Sequence, residues 1–196
     1  MLIDLLRKRY SCRNFSEKTI SKEIIEYILE SGRLSASGGN EQPWKFGVIT
    51  NKYLIDKISE AASIKYSQKW ISKAPLVIVL CTQLFNNLNI FPRFPSKVDQ
   101  IKLIDNELYN IINMEEHQTK IPGEHMVLAA LEHGIYSTWI SHLDCEMVGK
   151  LIGLNGYIVS NVIVFGYPAN IKDLKIKKAL NDIIFTNHFD NKGILL

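Results

Sequence analysis

Two short segments of the sequence carry residues that could bind and position a charged ligand. In the first, residues 9–13 (RYSCR), the guanidinium groups of Arg9 and Arg13 flank the hydroxyl of Ser11. Arginine binds phosphate through two parallel N–H donors, and a serine hydroxyl can add a third donor. An exposed basic helix end would have the same composition. This segment on its own is therefore compatible both with an anion site and with a solvated helix end.

The second segment is residues 37–44 (SGGNEQPW). Its paired glycines permit unusual backbone angles and a close approach of the main chain to a ligand. Asn40 and Gln42 each supply a hydrogen-bond donor and an acceptor, which suits the edge of a polar heteroaromatic ring. A polar turn before a strand would explain the glycines but not the amide–proline–tryptophan order. Together the two segments predict a phosphorylated cofactor that carries a ring.

A second group of cations lies near the C-terminus, at Lys172, Lys175, Lys177 and Lys178. On its own such a cluster is more often a solvated face of the protein. If the chain brought it next to Arg9 and Arg13, the two groups could bind one phosphate. The sequence leaves both interpretations open.

The composition limits the class of protein. A chain of 196 residues fits one domain, residues 1–196, and 46% hydrophobic content is typical of a globular protein. The net charge of +3 is too small to indicate nucleic-acid binding. Three widely spaced cysteines favour free thiols in a reducing cytosol, and no apolar run reaches the ~20 residues of a membrane span. The five histidines show no metal-ligand spacing, so we expect no metal site.

Apolar periodicity predicts helices and strands in irregular alternation, which favours a sheet packed between helices. Gly32 is a possible helix stop, and residues 84–98 fit no element, so they form either a packed loop or a functional one. In the helix after Asp144 we expect Met147 and Val148 to face inward. The helices are expected at residues 2–9, at 21–31 with Ser21 as N-cap, after Asn51, at 124–133, and after Asp144 as far as Gly153; the strands are expected at 46–50, 76–81, 137–140 and 159–165.

The two opening segments resemble those of the FMN-dependent nitroreductase family of NAD(P)H oxidoreductases. The order of the other segments is similar over about residues 3–180, and no single motif is decisive. These further matches are Ala74-Pro75 before the apolar strand, Thr138-Trp139-Ile140 after a long helix, and Gly166-Tyr167-Pro168-Ala169.

The resemblance implies an α+β, three-layer fold with a central mixed sheet flanked by helices. It also implies an obligate homodimer with two FMN sites at the subunit interface. Because residues 183–185 are apolar and follow the basic cluster, we expect the C-terminal tail, about residues 180–196, to pack on the partner. The activity would be hydride transfer from NADH or NADPH, through FMN, to a nitroaromatic, quinone or similar small acceptor in a ping-pong mechanism. We expect neither nucleic acid nor membrane as a partner.

The resemblance also implies a role for each matching residue. Ser67, Gln68 and Lys69 are equal candidates for the pyrimidine edge of the flavin, and no catalytic residue beyond the flavin is expected. The implied cofactor-binding residues are Arg9 and Ser11 at the phosphate or ribityl chain, with Tyr10 between them, Arg13 beside N1 and the C2 carbonyl, Ser37, Gly38 and Asn40 from the partner subunit, Ser141 and His142 near N5, and Lys175 and Lys177 at the phosphate. Gln42 is a further expected cofactor-binding residue.

Physical chemistry supports these implied roles. Reduced FMN is negatively charged at N1–C2=O, so a nearby Arg13 would stabilise it. The cofactor performs the hydride chemistry itself, and the protein need only position and shield it. Three alternatives use the same fold: reductive dehalogenation, oxygen-dependent cleavage of the flavin, and FMN storage or regulation without turnover.

Overall fold

The computed structural model describes residues 1–63, 66–83, 106–140, 142–172 and 174–188, with the backbone alone for residues 106–117. Within these ranges the chain forms five α-helices and four β-strands, with short 3₁₀ turns at Gly38–Asn40, Lys69–Lys73 and Leu180–Asp182. The helices are α1 (Leu2–Lys8), α2 (Lys22–Arg33), α3 (Lys52–Ala61), α4 (Asn106–Glu132) and α5 (Cys145–Leu151); the strands are β1 (Trp44–Ile49), β2 (Leu76–Gln83), β3 (Tyr136–Ile140) and β4 (Tyr157–Gly166).

The four strands form one sheet in the order β1-β2-β4-β3. All three pairs of neighbouring strands are antiparallel, so the expectation of a mixed sheet is wrong for the described strands. The reason lies in the connections between strands. After α3 the chain runs back along the sheet, so β2 begins beside the end of β1, where Ile49 pairs with Val77.

Strand β2 explains why the fold has three layers. Its residues are buried almost without interruption, and alternate side chains point to opposite faces of the sheet. Leu76, Ile78 and Leu80 belong to one hydrophobic core, which α2 and α4 cover. Val77 and Val79 belong to the other core, which α3 and α5 cover. The predicted three-layer α+β fold is therefore confirmed.

Two of the predicted helix caps are confirmed by their hydrogen bonds. The side chain of Asn51 accepts from the backbone N–H of Leu54 at 3.1 Å. The side chain of Asp144 accepts from the backbone N–H of Met147 at 2.8 Å. Ser21 occupies the N-cap position of α2 but makes no side-chain capping bond to the helix.

Three details of the predicted elements are wrong. Gly32 does not stop α2; it lies buried inside the helix, where an added Cβ would be 2.1 Å from Cε of Met126 on α4. The helix expected at 124–133 is the last part of the longer α4, which continues through Pro122. Met147 does not face inward and is 39% exposed, because the inner face of the short α5 is occupied by Val148.

The other predicted elements are confirmed within about two residues at their ends. The segment 84–98, which the sequence left without an assignment, lies outside the described residues. No helix in the described part of the chain is both long and apolar enough to cross a bilayer.

Candidate functional site

The first candidate segment, residues 9–13, lies extended along the outer edge of β3. The backbone N–H of Cys12 donates to the carbonyl oxygen of Ser137 at 3.1 Å, and the Thr138 hydroxyl donates to the carbonyl oxygen of Cys12 at 2.5 Å. Cys12 is 2% exposed and anchors the segment in the core. Because side chains of an extended segment alternate, its neighbours Ser11 and Arg13 both face outward.

The same segment, together with Asn14 that follows it, is bonded to the chain that leads into the lysine cluster. The backbone N–H of Ala169 donates to the carbonyl oxygen of Asn14 at 3.0 Å. The Tyr10 hydroxyl donates to the carbonyl oxygen of Asn170 at 3.1 Å. Burial, followed by the nearby Cys12, raises the pKa of Tyr10, so the phenol stays protonated and remains a donor. These bonds bring the residues just before the lysine cluster to the arginine segment, and whether the two clusters bind one phosphate stays open.

One lysine of the second cluster, Lys172, is shown to lie near this segment. Lys172 lies close enough for its charge to act against the effect of burial, which raises the pKa of the Cys12 thiol. Lys175 and Lys177 are exposed, and neither has a hydrogen bond or ion pair to another residue of the described chain. Their assignment to a phosphate remains a prediction.

Arg9 and Arg13 carry charges that no described residue neutralises. Most cations of nearby helices have carboxylate partners, as Arg7 has in Asp4 at 3.4 Å and Arg33 in Glu30 at 2.6 Å. Among the described residues, no carboxylate forms an ion pair with Arg9 or Arg13. The donors available here are guanidinium groups and one hydroxyl, a set that suits a phosphate or another anion.

Arg13 rests on an aromatic ring that the sequence reasoning did not select. Its guanidinium carbon lies 5.9 Å from the centroid of the Trp70 ring. The Trp70 indole N–H donates to Oε1 of Gln68 at 2.7 Å, which gives one of the three candidates at 67–69 a structural task. The sequence signal for these contacts was the pair of aromatic residues, Tyr66 and Trp70, that flank residues 67–69. Trp70 supports Arg13, and the ring centroid of Tyr66 lies 5.8 Å from that of His142.

The second candidate segment holds three residues in left-handed backbone conformations. The φ angles are 56° at Gly39, 55° at Asn40 and 51° at Gln42. Such conformations cost energy for non-glycine residues and cluster at functional sites. The turn is held by the Gln42 N–H, which donates to Ser37 Oγ at 2.9 Å, and its side-chain amide, which donates to Asn40 Oδ1 at 3.2 Å.

A residue of α4 fixes the glycine that begins this turn. The backbone N–H of Gly38 donates to Oε1 of Gln118 at 2.7 Å. The sequence reasoning missed Gln118, because nothing local connects it to a segment 80 residues earlier. The strained turn is thus supported both from within and from the neighbouring helix.

The two candidate segments lie at opposite corners of the sheet. The row of paired residues through Ser137 meets β2 at Leu76, whereas the row through Trp44 meets it at Thr82. Six residues along β2 and three strand spacings separate the two corners, about 20 Å by about 14 Å. Among the described residues, no hydrogen bond joins Ser37, Gly38, Asn40 or Gln42 to Arg9, Ser11 or Arg13.

The predicted turn after β3 is only partly visible. His142 is exposed and lies two residues after the end of β3. Ser141 lies outside the described residues, so the prediction that this turn approaches the flavin N5 stays a prediction. So do the individual roles assigned to the other site residues.

The described chain thus combines a three-layer α+β fold, two arginines beside an edge strand and a strained amide turn at the opposite corner of the sheet. The model of the nitroreductase family matches residues 6–167, and the chain belongs to that family. The predicted resemblance is therefore confirmed.

Known proteins agree with this assignment. A protein of Archaeoglobus fulgidus, named as an NADH dehydrogenase or NAD(P)H nitroreductase, is 28% identical over 176 residues, which cover 87% of each chain. A nitroreductase family protein of Clostridium difficile superposes with a TM-score of 0.73 at 26% identity, covering 95% of this chain and 98% of that one. An NADPH:FMN oxidoreductase of Vibrio harveyi, solved with NAD+, has a TM-score of 0.76 at 16% identity, covering 96% of this chain and 77% of its own, and is evidence for the fold alone.

Proposed function

We propose that this protein is an FMN-dependent oxidoreductase that takes hydride from NADH or NADPH and reduces a nitroaromatic, quinone or similar small acceptor in a ping-pong cycle. Membership of the nitroreductase family supports the general reaction. The names of the Archaeoglobus fulgidus and Vibrio harveyi proteins support the nicotinamide, and the second supports FMN.

One observation carries the proposal: Arg9 and Arg13 lie beside an edge strand, and neither has a carboxylate partner among the described residues. Two unpaired guanidinium groups so close in sequence repel each other, so an anion bound between or beside them relieves the repulsion. Hydrogen bonds of Cys12 to Ser137 and Thr138 on one side, and of Tyr10 and Asn14 to Asn170 and Ala169 on the other, fix the backbone that carries both arginines. A backbone fixed in this way loses little conformational entropy on binding.

The donors of this chain fit FMN. Arg9 and the Ser11 hydroxyl would bind the phosphate, which is doubly charged and takes several donors. Arg13, at the end of the same segment, would lie against the N1–C2=O edge, and the amides of Asn40 and Gln42 suit the polar edge of the ring. When bound, FMN supplies the hydride chemistry; the chain binds it, orients it and places a cation where negative charge develops.

A complete site requires two copies of the chain. Because the two candidate segments lie at opposite corners of the sheet, one protomer cannot bring both to one flavin, whereas a second protomer can supply the missing segment. Exposed apolar side chains support an extensive homodimer contact, since a monomer rarely leaves so many uncovered. They lie on α1 and the C-terminal segment: Leu2, Ile3, Leu6, Ile171, Leu174, Ile176, Leu180, Ile183 and Phe185.

Other parts of the proposal concern the chain as a whole. We propose that residues 1–196 act as one FMN-binding domain, whose segment from about residue 180 packs on the partner. A reducing cytosol fits the three cysteines, which are all free thiols, two of them buried.

The catalytic proposal is tested by steady-state kinetics. Purified protein loaded with FMN should oxidise NADH or NADPH when a nitroaromatic or a quinone is present. Parallel lines in double-reciprocal plots at several acceptor concentrations would support the ping-pong cycle. Tight FMN binding without turnover of either nicotinamide would instead indicate a storage or regulatory role, and loss of absorbance of the flavin ring in air would indicate flavin cleavage.

The shared site is tested by pairing two defective subunits. One variant carries Arg9→Ala and Arg13→Ala; the other carries Asn40→Ala and Gln42→Ala; each homodimer should bind FMN weakly. Co-expression with two affinity tags isolates the heterodimer. A site built across subunits predicts one restored FMN site per heterodimer, because all the defects fall in the other site. Binding no better than that of either homodimer would place both segments in one protomer's site.

A further inference from the structure

The chain holds Arg13 by a connected series of contacts that begins in helix α3. The Ser63 hydroxyl accepts from the backbone N–H of Gln68 at 2.9 Å, and the Ser59 hydroxyl donates to the carbonyl oxygen of Gln68 at 3.1 Å. Ser59 is buried within α3, so Gln68 is tied to the core of the fold. The backbone of Gln68 is therefore a fixed point.

From that fixed point the series continues through the indole of Trp70 to the guanidinium of Arg13. The Gln68 side chain accepts from the Trp70 indole N–H at 2.7 Å, which sets the rotation of the ring. The ring is half-buried against the core and lies 6.2 Å from the buried ring of Phe15. Its outer face carries the Arg13 guanidinium at 5.9 Å, within the ~6 Å range of a cation–π contact.

We infer that Trp70 is the positioning residue for Arg13: its indole orients the guanidinium toward the N1–C2=O edge of the flavin. The inference rests on the proposed function. Arg13 is exposed, has no carboxylate partner in the described chain and has many rotamers, so an unsupported side chain would spend much of its time in solvent. Stacking on a ring that is itself fixed restricts those rotamers without neutralising the charge. A carboxylate in the place of Trp70 would also hold the arginine, but it would cancel the charge that the flavin requires.

The test uses full-length dimer and measures the dissociation constants of oxidised FMN and of dithionite-reduced FMN under anaerobic conditions. The dissociation constant of oxidised FMN divided by that of reduced FMN is the ratio by which the site prefers reduced FMN. Arg13→Ala should lower this ratio. Trp70→Leu should lower it about two- to five-fold, the effect of losing one cation–π contact. Trp70→Phe keeps a ring and should lower it less.

A double variant separates positioning from direct contact. If Trp70 acts only through Arg13, Trp70→Leu should change nothing further in the Arg13→Ala protein. An effect that persists in the double variant, or an unchanged ratio in Trp70→Leu, overturns the inference. Trp139→Phe is the control, because Trp139 donates its indole N–H to Glu124 at 3.2 Å on the other face of the sheet. It should leave the ratio unchanged.

A second readout needs no flavin and keeps the two proposals distinguishable. In the ligand-free protein, the Nε–H proton of Arg13 should show a ring-current shift that Trp70→Leu abolishes and Trp70→Phe retains in part. If the wild-type protein failed to bind FMN, the proposed function would fall, and this shift would still decide whether Trp70 holds Arg13. Absence of the shift in wild-type protein would overturn the inference even with FMN bound. Should Trp70→Leu fail to fold, Trp70→Phe provides both readouts.

Discussion

Replacing Arg9 by alanine should weaken FMN binding while leaving riboflavin binding nearly unchanged, because only FMN carries a phosphate. A hydrogen bond to a charged group contributes about 1.5–3 kcal/mol. Arg9 is half-buried and has no carboxylate partner in the described chain, so its donors are available but partly screened by solvent. We therefore expect the lower half of that range, roughly a 10- to 40-fold increase in the FMN dissociation constant.

The assay is a fluorescence titration of each flavin into the flavin-free protein, with Arg7→Ala as the matched control. Arg7 lies two residues earlier, in the last turn of α1, the helix that ends just before Arg9, and is paired with Asp4. Its loss has a similar effect on the helix end, yet it should leave both affinities unchanged. Equal losses of FMN and riboflavin binding in Arg9→Ala would refute the assignment of Arg9 to the phosphate.

Further predictions concern redox tuning, packing and pH. Arg13→Ala should lower the midpoint potential of bound FMN and Arg13→Lys should retain part of the effect, since the charge survives without the guanidinium geometry; an unchanged potential in a redox titration would remove Arg13 from the site. Gly123→Ala should destabilise the fold by about 1–3 kcal/mol in urea denaturation, because the new Cβ would lie 2.5 Å from Trp139 Cη2 and 2.6 Å from Leu80 Cδ1. The control Gly149→Ala, also in a helix but with no neighbour closer than 3.9 Å, should be neutral or stabilising, and equal losses would contradict the packing argument. Burial raises the pKa of the Cys81 thiol to about 12 from an ordinary 9.0. As pH rises, the unfolded state therefore loses the thiol proton before the folded state does, and the free energy of unfolding should fall between about pH 9 and pH 12. Cys81→Val should remove this part of the decline, and an identical pH profile would show that Cys81 does not contribute.

Features that depend on neighbours in sequence could be predicted. Residues 76–81, which form most of β2, are an uninterrupted apolar run. A short run of this kind between turn residues is typical of a buried strand. The caps at Asn51 and Asp144 depend on a bond to a backbone N–H three residues away, so the residue type at the cap was sufficient.

Features that depend on contacts with distant parts of the chain could not be predicted from the sequence. Gly32 has the composition of a helix stop, but it is a point of close contact between α2 and α4, which local sequence does not reveal. The same limit applies at the site. The arginine segment and the glycine–amide turn could be found by composition, whereas their supports, Trp70 and Gln118, are brought to them only by the folded chain.

The identity of the bound chromophore tests the central claim most directly. The purified protein should be yellow, and the small molecule released by heat should be FMN at about one per chain, identified by its mass and its flavin absorbance spectrum. Protein that emerges colourless should take up added FMN and regain the spectrum of a bound flavin. A colourless protein that does not bind added FMN, in a preparation shown to be folded and dimeric, would contradict the account.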